Sequence, residues 1–375
     1  MKKASLICIV VLTLISGFQC VKQELPAADT LKDAYRDICL MGTALNDRQI
    51  MGGDSLSMDL VEKQFNSITA ENAMKWEKIH PEKDQYSFKI ADAFVGFGEK
   101  HDMFIVGHTL VWHSQTPKWV FEDDGQPADP DTLLKRLKDH IFTVVGRYKG
   151  RVQGWDVVNE AFEDNGALRK SPWLNILGET YIEKAFEWAH EADPEAELYY
   201  NDFNMWRQGK RDAVVRLVKK LQSEGITIQG IGLQGHWGLD YPPLDSLDMA
   251  LQAYTGTGLN VMVTEMDVNV LPFPDALITA EISKRAELRA ELNPYPDALP
   301  DSMQVVLSDR YTDLFKALLK YRENLGRVTF WGVQDGISWT NYWPVWGRTN
   351  YPLLFDRNYQ PKPAFYRVMQ LARQN

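Results

Sequence analysis

The sequence predicts an α/β protein of the (β/α)8 TIM-barrel class, built as a single domain. Three observations predict it. Short apolar, β-rich runs alternate with amphipathic helical stretches, the number of these runs suits closure of a parallel sheet, and no Gly/Ser/Pro linker divides the chain beyond residue 31. The 375 residues, 45% hydrophobic and 25% charged, have ordinary globular composition, which excludes a disordered, collagen-like or coiled-coil chain. An open doubly wound sheet is the competing architecture. It calls for a glycine-rich phosphate loop after the first strand, and none is there.

The first residues read as a targeting segment. Lys2 and Lys3 form a short positive region, and Ala4–Ile15 an apolar core shorter than a membrane span needs. Cys20, just past that core, resembles the lipidated cysteine of bacterial lipoprotein signals, although Gln19 stands where a small residue is usual. Ordinary secretion, with Cys20 incidental, is the other reading. The expected division is therefore 1–19 signal peptide, 20–30 linker and 31–375 barrel, with the protein secreted or held at the cell surface or in the periplasm. Cys8 lies in the apolar leader, Cys20 just past it and Cys39 in an apolar run, so the three cysteines form neither a disulfide framework nor a zinc motif. The net charge of −10 argues against binding a nucleic-acid backbone.

In chain order the strand candidates are Ile38–Ala44, Phe65–Thr69, Met103–Gly107, Val152–Val158, Leu198–Asn201, Ile228–Leu233, Leu259–Thr264 and Val328–Val333. Helical stretches fall between them, among them Asp131–Tyr148, Tyr181–Ala192, Lys210–Glu224, Ser246–Ala253 and Asp309–Glu323. Residues 271–307 break the rhythm: prolines at 272, 274, 294, 296 and 300 surround a charged piece, Glu281–Glu291, that reads as helical. Loops after barrel strands build the functional face, so this expanded loop is a candidate for shaping a cleft.

The positions just past each strand are polar or aromatic, whereas the strands are apolar. They read Glu71-Asn-Ala-Met-Lys-Trp76, His108-Thr-Leu-Val-Trp-His113, Asn159-Glu160, Asn201-Asp-Phe-Asn204, Gln234-Gly-His-Trp237, Thr264-Glu-Met-Asp267 and Trp331-Gly-Val-Gln-Asp335. Glu160 and Glu265 follow the fourth and seventh strands, across the barrel mouth from each other. Two carboxylates flanking a polar substrate suit glycoside hydrolysis, in which one protonates the leaving oxygen and the other attacks or activates water. Tryptophan faces suit stacking against sugar rings. A metal-dependent hydrolase is the alternative enzyme, but no His-x-His or His-Glu-x-x-His pattern occurs. A glycan receptor with a decayed site is weakened by the presence of both glutamates.

Six motifs in order, Glu71–Trp76, Gly107–His113, Trp155–Glu160, Gly232–His236, Thr264–Asp267 and Trp331–Asp335, resemble those of the family 10 glycoside hydrolases, the retaining endo-β-1,4-xylanases of the (β/α)8 superfamily, and the resemblance covers residues 31–373. The resemblance implies a catalytic barrel with Glu160 as acid/base and Glu265 as nucleophile. It implies that His236 and Asp267 keep Glu265 ionised and that Asn159 binds the 2-hydroxyl of the reacting sugar. Glu71, Asn72 and Lys75 would grip the next sugar, and His108, Trp112, Gln115 and Gln234 would line the reacting subsite. Trp331 and Trp339 would close over it and crowd out the hydroxymethyl of glucose, favouring xylan or xylo-oligosaccharides over cellulose. An endoglucanase or mixed-linkage glucanase is the near alternative. Asn204 is a supporting residue, no metal or other cofactor is implied, and a monomer is expected. Phe203 stands where the family usually has tyrosine, which removes one hydroxyl on the leaving-group side. Trp343, Trp346 and Arg348 read as a stacking wall or a contact to an acidic branch such as glucuronate. Trp76, Trp112, Trp237, Trp331, Trp339, Trp343 and Trp346 follow strand ends and suggest a sugar-binding face, although Trp76 and Trp155 suit core packing as well. Trp119, Trp173 and Trp188 read as packing.

Overall fold

The computed structural model describes residues 30–274 and 279–374. The predicted strands are all present: β1 (Leu40–Leu45), β2 (Ser67–Ala70), β3 (Phe104–Trp112), β4 (Gly154–Asn159), β5 (Glu197–Asp202), β6 (Gly230–Leu233), β7 (Asn260–Asn269) and β8 (Leu325–Phe330). Each pairs in parallel with its neighbours in chain order. β8 returns to β1, with Leu40 opposite Arg327 and Gly42 opposite Thr329. The sheet is closed, so the doubly wound alternative falls. β2 and β4 are buried throughout, which is why such strands read as continuous apolar runs rather than as alternating ones.

The barrel helices are α1 (Ser55–Gln64), α2 (Lys89–Lys100), α3 (Pro130–Arg147), α4 (Thr180–Ala192), α5 (Gln208–Ser223), α6 (Leu244–Thr255), α7 (Asp301–Leu319) and α8 (Pro363–Ala372). α3 shows why these stretches are helical. The Asp129 carboxylate caps the Thr132 N–H, Pro130 takes the first turn, and Leu133, Leu137, Ile141 and Val144 return at helical spacing to face the sheet. α7 begins at Asp301 rather than Asp309. Its first turns carry the exposed Val305 and Val306, and the buried face starts only at Leu307, so periodicity hides its start.

The charged piece Glu281–Glu291 is not a helix. Its regular structure is a 3-10 turn at Ala290–Leu292, while Ala286 pairs with Val345 and its N–H donates to Pro344 O at 2.9 Å. Backbone groups that a helix would satisfy internally are engaged by the loop after β8, and tertiary contact overrides propensity.

The core fills the barrel and the layer between sheet and helices. Trp155 lies fully buried inside, against Gly107, where a Cβ would stand 2.1 Å from its ring; glycine there is a packing requirement. Trp76 is also core, stacked on His140 with centroids 3.6 Å apart. Trp237 is 3% exposed and packed in the core, which corrects its reading as part of a sugar-binding face. Trp173 is buried, and Trp119 and Trp188 pack partly buried against the core. Cys39 is buried and free, its thiol pushed up to about 12 by burial. The signal peptide, residues 20–29 of the linker, Cys8 and Cys20 lie outside the described residues.

Candidate active site

Thirteen of the residues singled out from the sequence line one cavity at the C-terminal mouth of the barrel: Glu71, Asn72, Lys75, His108, Trp112, Gln115, Asn159, Glu160, Gln234, His236, Glu265, Trp331 and Trp339. They come from the ends of β2, β3, β4, β6, β7 and β8, and only closure of the barrel brings them together.

Glu160 directly follows β4 and is 5% exposed. Its Oε2 accepts from Trp112 Nε1 at 2.8 Å and its Oε1 from Gln234 Nε2 at 2.9 Å. Its backbone lies in the left-handed region (φ 59°), held by its N–H donating to Asn201 O and by Arg169 Nε donating to its carbonyl, both at 2.9 Å. Gln115 (φ 46°) and Asn204 (φ 51°) share that conformation. It costs a side-chain-bearing residue about 1–3 kcal/mol and persists where surrounding contacts impose it.

Glu265, on β7, is equally buried but meets different partners. Asn201 Nδ2 donates to its Oε1 at 2.8 Å, and His236 Nε2 lies 3.2 Å from its Oε2. Burial works against its charge, but the His236 and Asn201 bonds win, and the carboxyl lies below its ordinary value. Burial likewise opposes the charge of His236. Asp267 and Glu265 outweigh it and hold the imidazolium up to about 10. Asp267 also accepts from Trp339 Nε1 at 2.7 Å, so a ring of the cavity wall is tied to the same carboxylate.

A chain of amides joins the two glutamates. Asn201 Nδ2 donates also to Asn159 Oδ1 at 3.0 Å, and Gln234 Nε2 donates to that same oxygen at 3.2 Å as well as to Glu160. Gly232 makes room for it: a Cβ there would lie 2.5 Å from Asn201 Oδ1. At the β2 side, Lys75 Nζ donates to Asn72 Oδ1 and Gln115 Oε1, each at 3.0 Å, and sits 4.9 Å from the Trp112 ring centroid. Burial lowers the Lys75 ammonium and raises the Glu71 carboxyl from their ordinary values. His108 Nδ1 donates to Asp156 Oδ2 at 2.9 Å, which fixes its ring.

Some residues lie outside the cavity. Asn204 donates to Asp164 at 3.0 Å. Asp202 is buried beside Lys210 Nζ at 2.8 Å and Tyr200 Oη at 2.6 Å, and holds the loop after β5. Phe203 is buried with the Lys210 ammonium 4.0 Å from its centroid. Arg348 is not available to an acidic branch: it is 4% exposed and donates to the carbonyls of Pro272, Thr340 and Trp343. Trp343 is buried, stacked on Trp339 at 4.6 Å, while Trp346 is 71% exposed.

The sequence reading did not assign roles to Asn201 and Thr264, although both stand in the strand-end runs; Thr264 Oγ1 donates to Asn201 Oδ1 at 2.6 Å. It also missed Ala280 and Ile282, which close the cavity, and the ion pair of Arg169 with Glu281 at 2.7 Å. Nothing local in the sequence signals either.

The profile of glycosyl hydrolase family 10 matches residues 30–371. The chain belongs to this family. Among curated relatives of this family 10 member, endo-1,4-beta-xylanase A of Xylanibacter ruminicola is 48% identical over 91% of this chain and 93% of its own. The beta-1,4-xylanase of Dictyoglomus thermophilum is 42% identical over 96% of both. A solved GH10 endoxylanase retrieved from sugarcane soil metagenome superposes with a TM-score of 0.89 at 47% identity, covering 91% of this chain and 99% of that one.

Proposed function

We propose that this family 10 member hydrolyses internal β-1,4 bonds of xylan by a retaining double displacement, with Glu265 as nucleophile and Glu160 as acid/base. The observation that carries the reading is the contrast between two carboxylates facing one cavity. Glu265 is hydrogen-bonded by an imidazolium, whereas the carboxyl of Glu160 accepts from the neutral donors Trp112 and Gln234. An anion held ready to attack beside a group free to exchange a proton is the pairing that retention requires.

In the first step a Glu265 oxygen forms a bond to the anomeric carbon as the glycosidic bond breaks, and the Glu160 proton goes to the departing oxygen. In the second, Glu160 takes a proton from water as that water's oxygen bonds the anomeric carbon, and the Glu265 carboxylate leaves. Asn159 would hold the 2-hydroxyl, a contact that strengthens as positive charge grows on the ring. Trp331 and Trp339 would crowd a hydroxymethyl, and the names of the curated relatives, xylanases at 42–48% identity, support xylan as the substrate. A surface location, with Cys20 as lipid anchor, goes with a polymeric substrate; loss of membrane association in Cys20→Ser tests it.

The experiment compares leaving groups. Glu160→Ala should lose about 10²–10⁴-fold on xylan and far less on an aryl xylobioside whose phenolate departs without a proton. Glu265→Ala should lose both. Full activity of Glu265→Ala, or an equal loss on both substrates in Glu160→Ala, sinks the assignment.

A further inference from the structure

Residues 279–286 of the expanded loop after β7 meet the loops that follow β3, β4 and β8. Thr279 lies near Phe273 and Trp343. Two residues further on, Glu281 Oε2 accepts from Arg169 Nη1 at 2.7 Å and lies 3.7 Å from His113 Nε2. Arg169 belongs to the loop after β4 and His113 to the loop after β3. Arg169 also donates to the Glu160 carbonyl, and His113 Nδ1 is 3.9 Å from Glu160 Oε2. Beyond Glu281 the chain is tied to the loop after β8: Arg285 Nη1 donates to Tyr342 O at 3.3 Å, and Ala286 N to Pro344 O at 2.9 Å.

On either side of Glu281, Ala280 and Ile282 face the same cavity as Glu160, Trp112 and Trp339. Their methyl groups cannot bond a hydroxyl, so they limit space rather than bind sugar. The cavity beneath them measures about 130 Å³, small beside the roughly 300–1,000 Å³ of common ligand pockets. The fastening at Glu281 is ionic: contact with His113 and the charge of Arg169 outweigh its partial burial and hold its carboxyl down at about 2.

We propose that residues 279–286 form a bridge across the cleft and that Glu281 latches it to Arg169 and His113, making the bridge a selectivity element that admits slender, unbranched xylan chains and excludes those branched at the sugars flanking the scissile bond. This rests on the reading of Glu160 and Glu265 as the catalytic pair. The latch touches neither reacting atom; it sets how far the roof can rise.

The test compares kcat/KM for linear xylohexaose and for arabinose- or glucuronate-branched xylan in Glu281→Ala and Glu281→Gln. The alanine variant should raise the branched-to-linear ratio by about tenfold, equivalent to roughly 1.4 kcal/mol. Glutamine, which still accepts from Arg169, should fall between it and the parent. Trypsin should cut after the exposed Lys284 faster in Glu281→Ala than in the parent, a readout independent of turnover. An unchanged ratio, an equal change on both substrates, or an unchanged rate of cutting overturns the proposal. Activity surviving in Glu265→Ala would instead remove the assignment of the pair and leave the latch measurement standing.

Discussion

Asp267 Oδ2 accepts from His236 Nδ1–H at 3.0 Å and thereby aims the opposite ring nitrogen at Glu265. The imidazolium is held up to about 10, against about 6.5 in an unfolded chain. The stability it contributes is fully present below pH ~6.5 and is lost as pH rises through about 10. Glu265 has the opposite sign: its carboxyl lies below its ordinary value, so its contribution is lost as pH falls into the carboxylate range. The thermal midpoint should fall between pH ~6.5 and 10, and less steeply in His236→Asn. Equal slopes in the two proteins would remove His236 as the source.

Gly232→Ala tests the room left for the amide chain. The new Cβ would lie 2.5 Å from Asn201 Oδ1 and 2.8 Å from Thr264 Cγ2, so Asn201 must move off Glu265. Overpacking of this kind costs about 1–3 kcal/mol of stability. A displaced amide should cost about 10–100-fold in kcat/KM on an aryl xylobioside, equivalent to roughly 1–3 kcal/mol. Parent-like kinetics would show that Asn201 is not needed at Glu265.

Lys75→Met separates the two sugar positions. It removes a donor shared by Asn72 and Gln115 and the charge that offsets the buried Glu71. Turnover of an aryl xylobioside should drop by about 10–100-fold in kcat/KM, on the scale of roughly 1–3 kcal/mol for a lost buried bond. A single-sugar aryl xyloside should be little affected; an equal drop on both would place Lys75 at the reacting sugar.

In the aromatic stretch 340–348 after β8, Trp343 is buried and Trp346 exposed. Trp343→Ala removes the ring stacked on Trp339 and should cost about 3–5 kcal/mol in denaturant unfolding. Trp346→Ala, at a position 71% exposed, should stay within about 0.5 kcal/mol. Comparable losses would mean that Trp346 is covered in solution.

The strands and eleven of the thirteen cavity residues were legible because a parallel barrel puts the residues after each strand at the mouth, so a one-dimensional pattern maps onto a ring; Gln115 and Trp339 lie beyond those runs and followed only from the family resemblance. Other features turn on contacts that no local pattern records. Glu281 meets Arg169 across 112 positions, and its charged surroundings imitate a helix. Arg348 reads as a free cation, but the carbonyls that enclose it come from Pro272, Thr340 and Trp343. The tryptophan count was ambiguous for a related reason: Trp237 follows a strand as Trp331 does, yet it packs in the core.

The amides of Asn201, Asn159 and Gln234 that connect Glu265 with Glu160 do not ionise in the range where proteins fold. They transmit orientation but carry no proton, so this chain insulates one carboxylate from the other. No proton can pass between Glu160 and Glu265 along that chain. A titratable side chain at Asn159 or Gln234 would breach that insulation, letting the two carboxylates share a single proton and lose their separate identities.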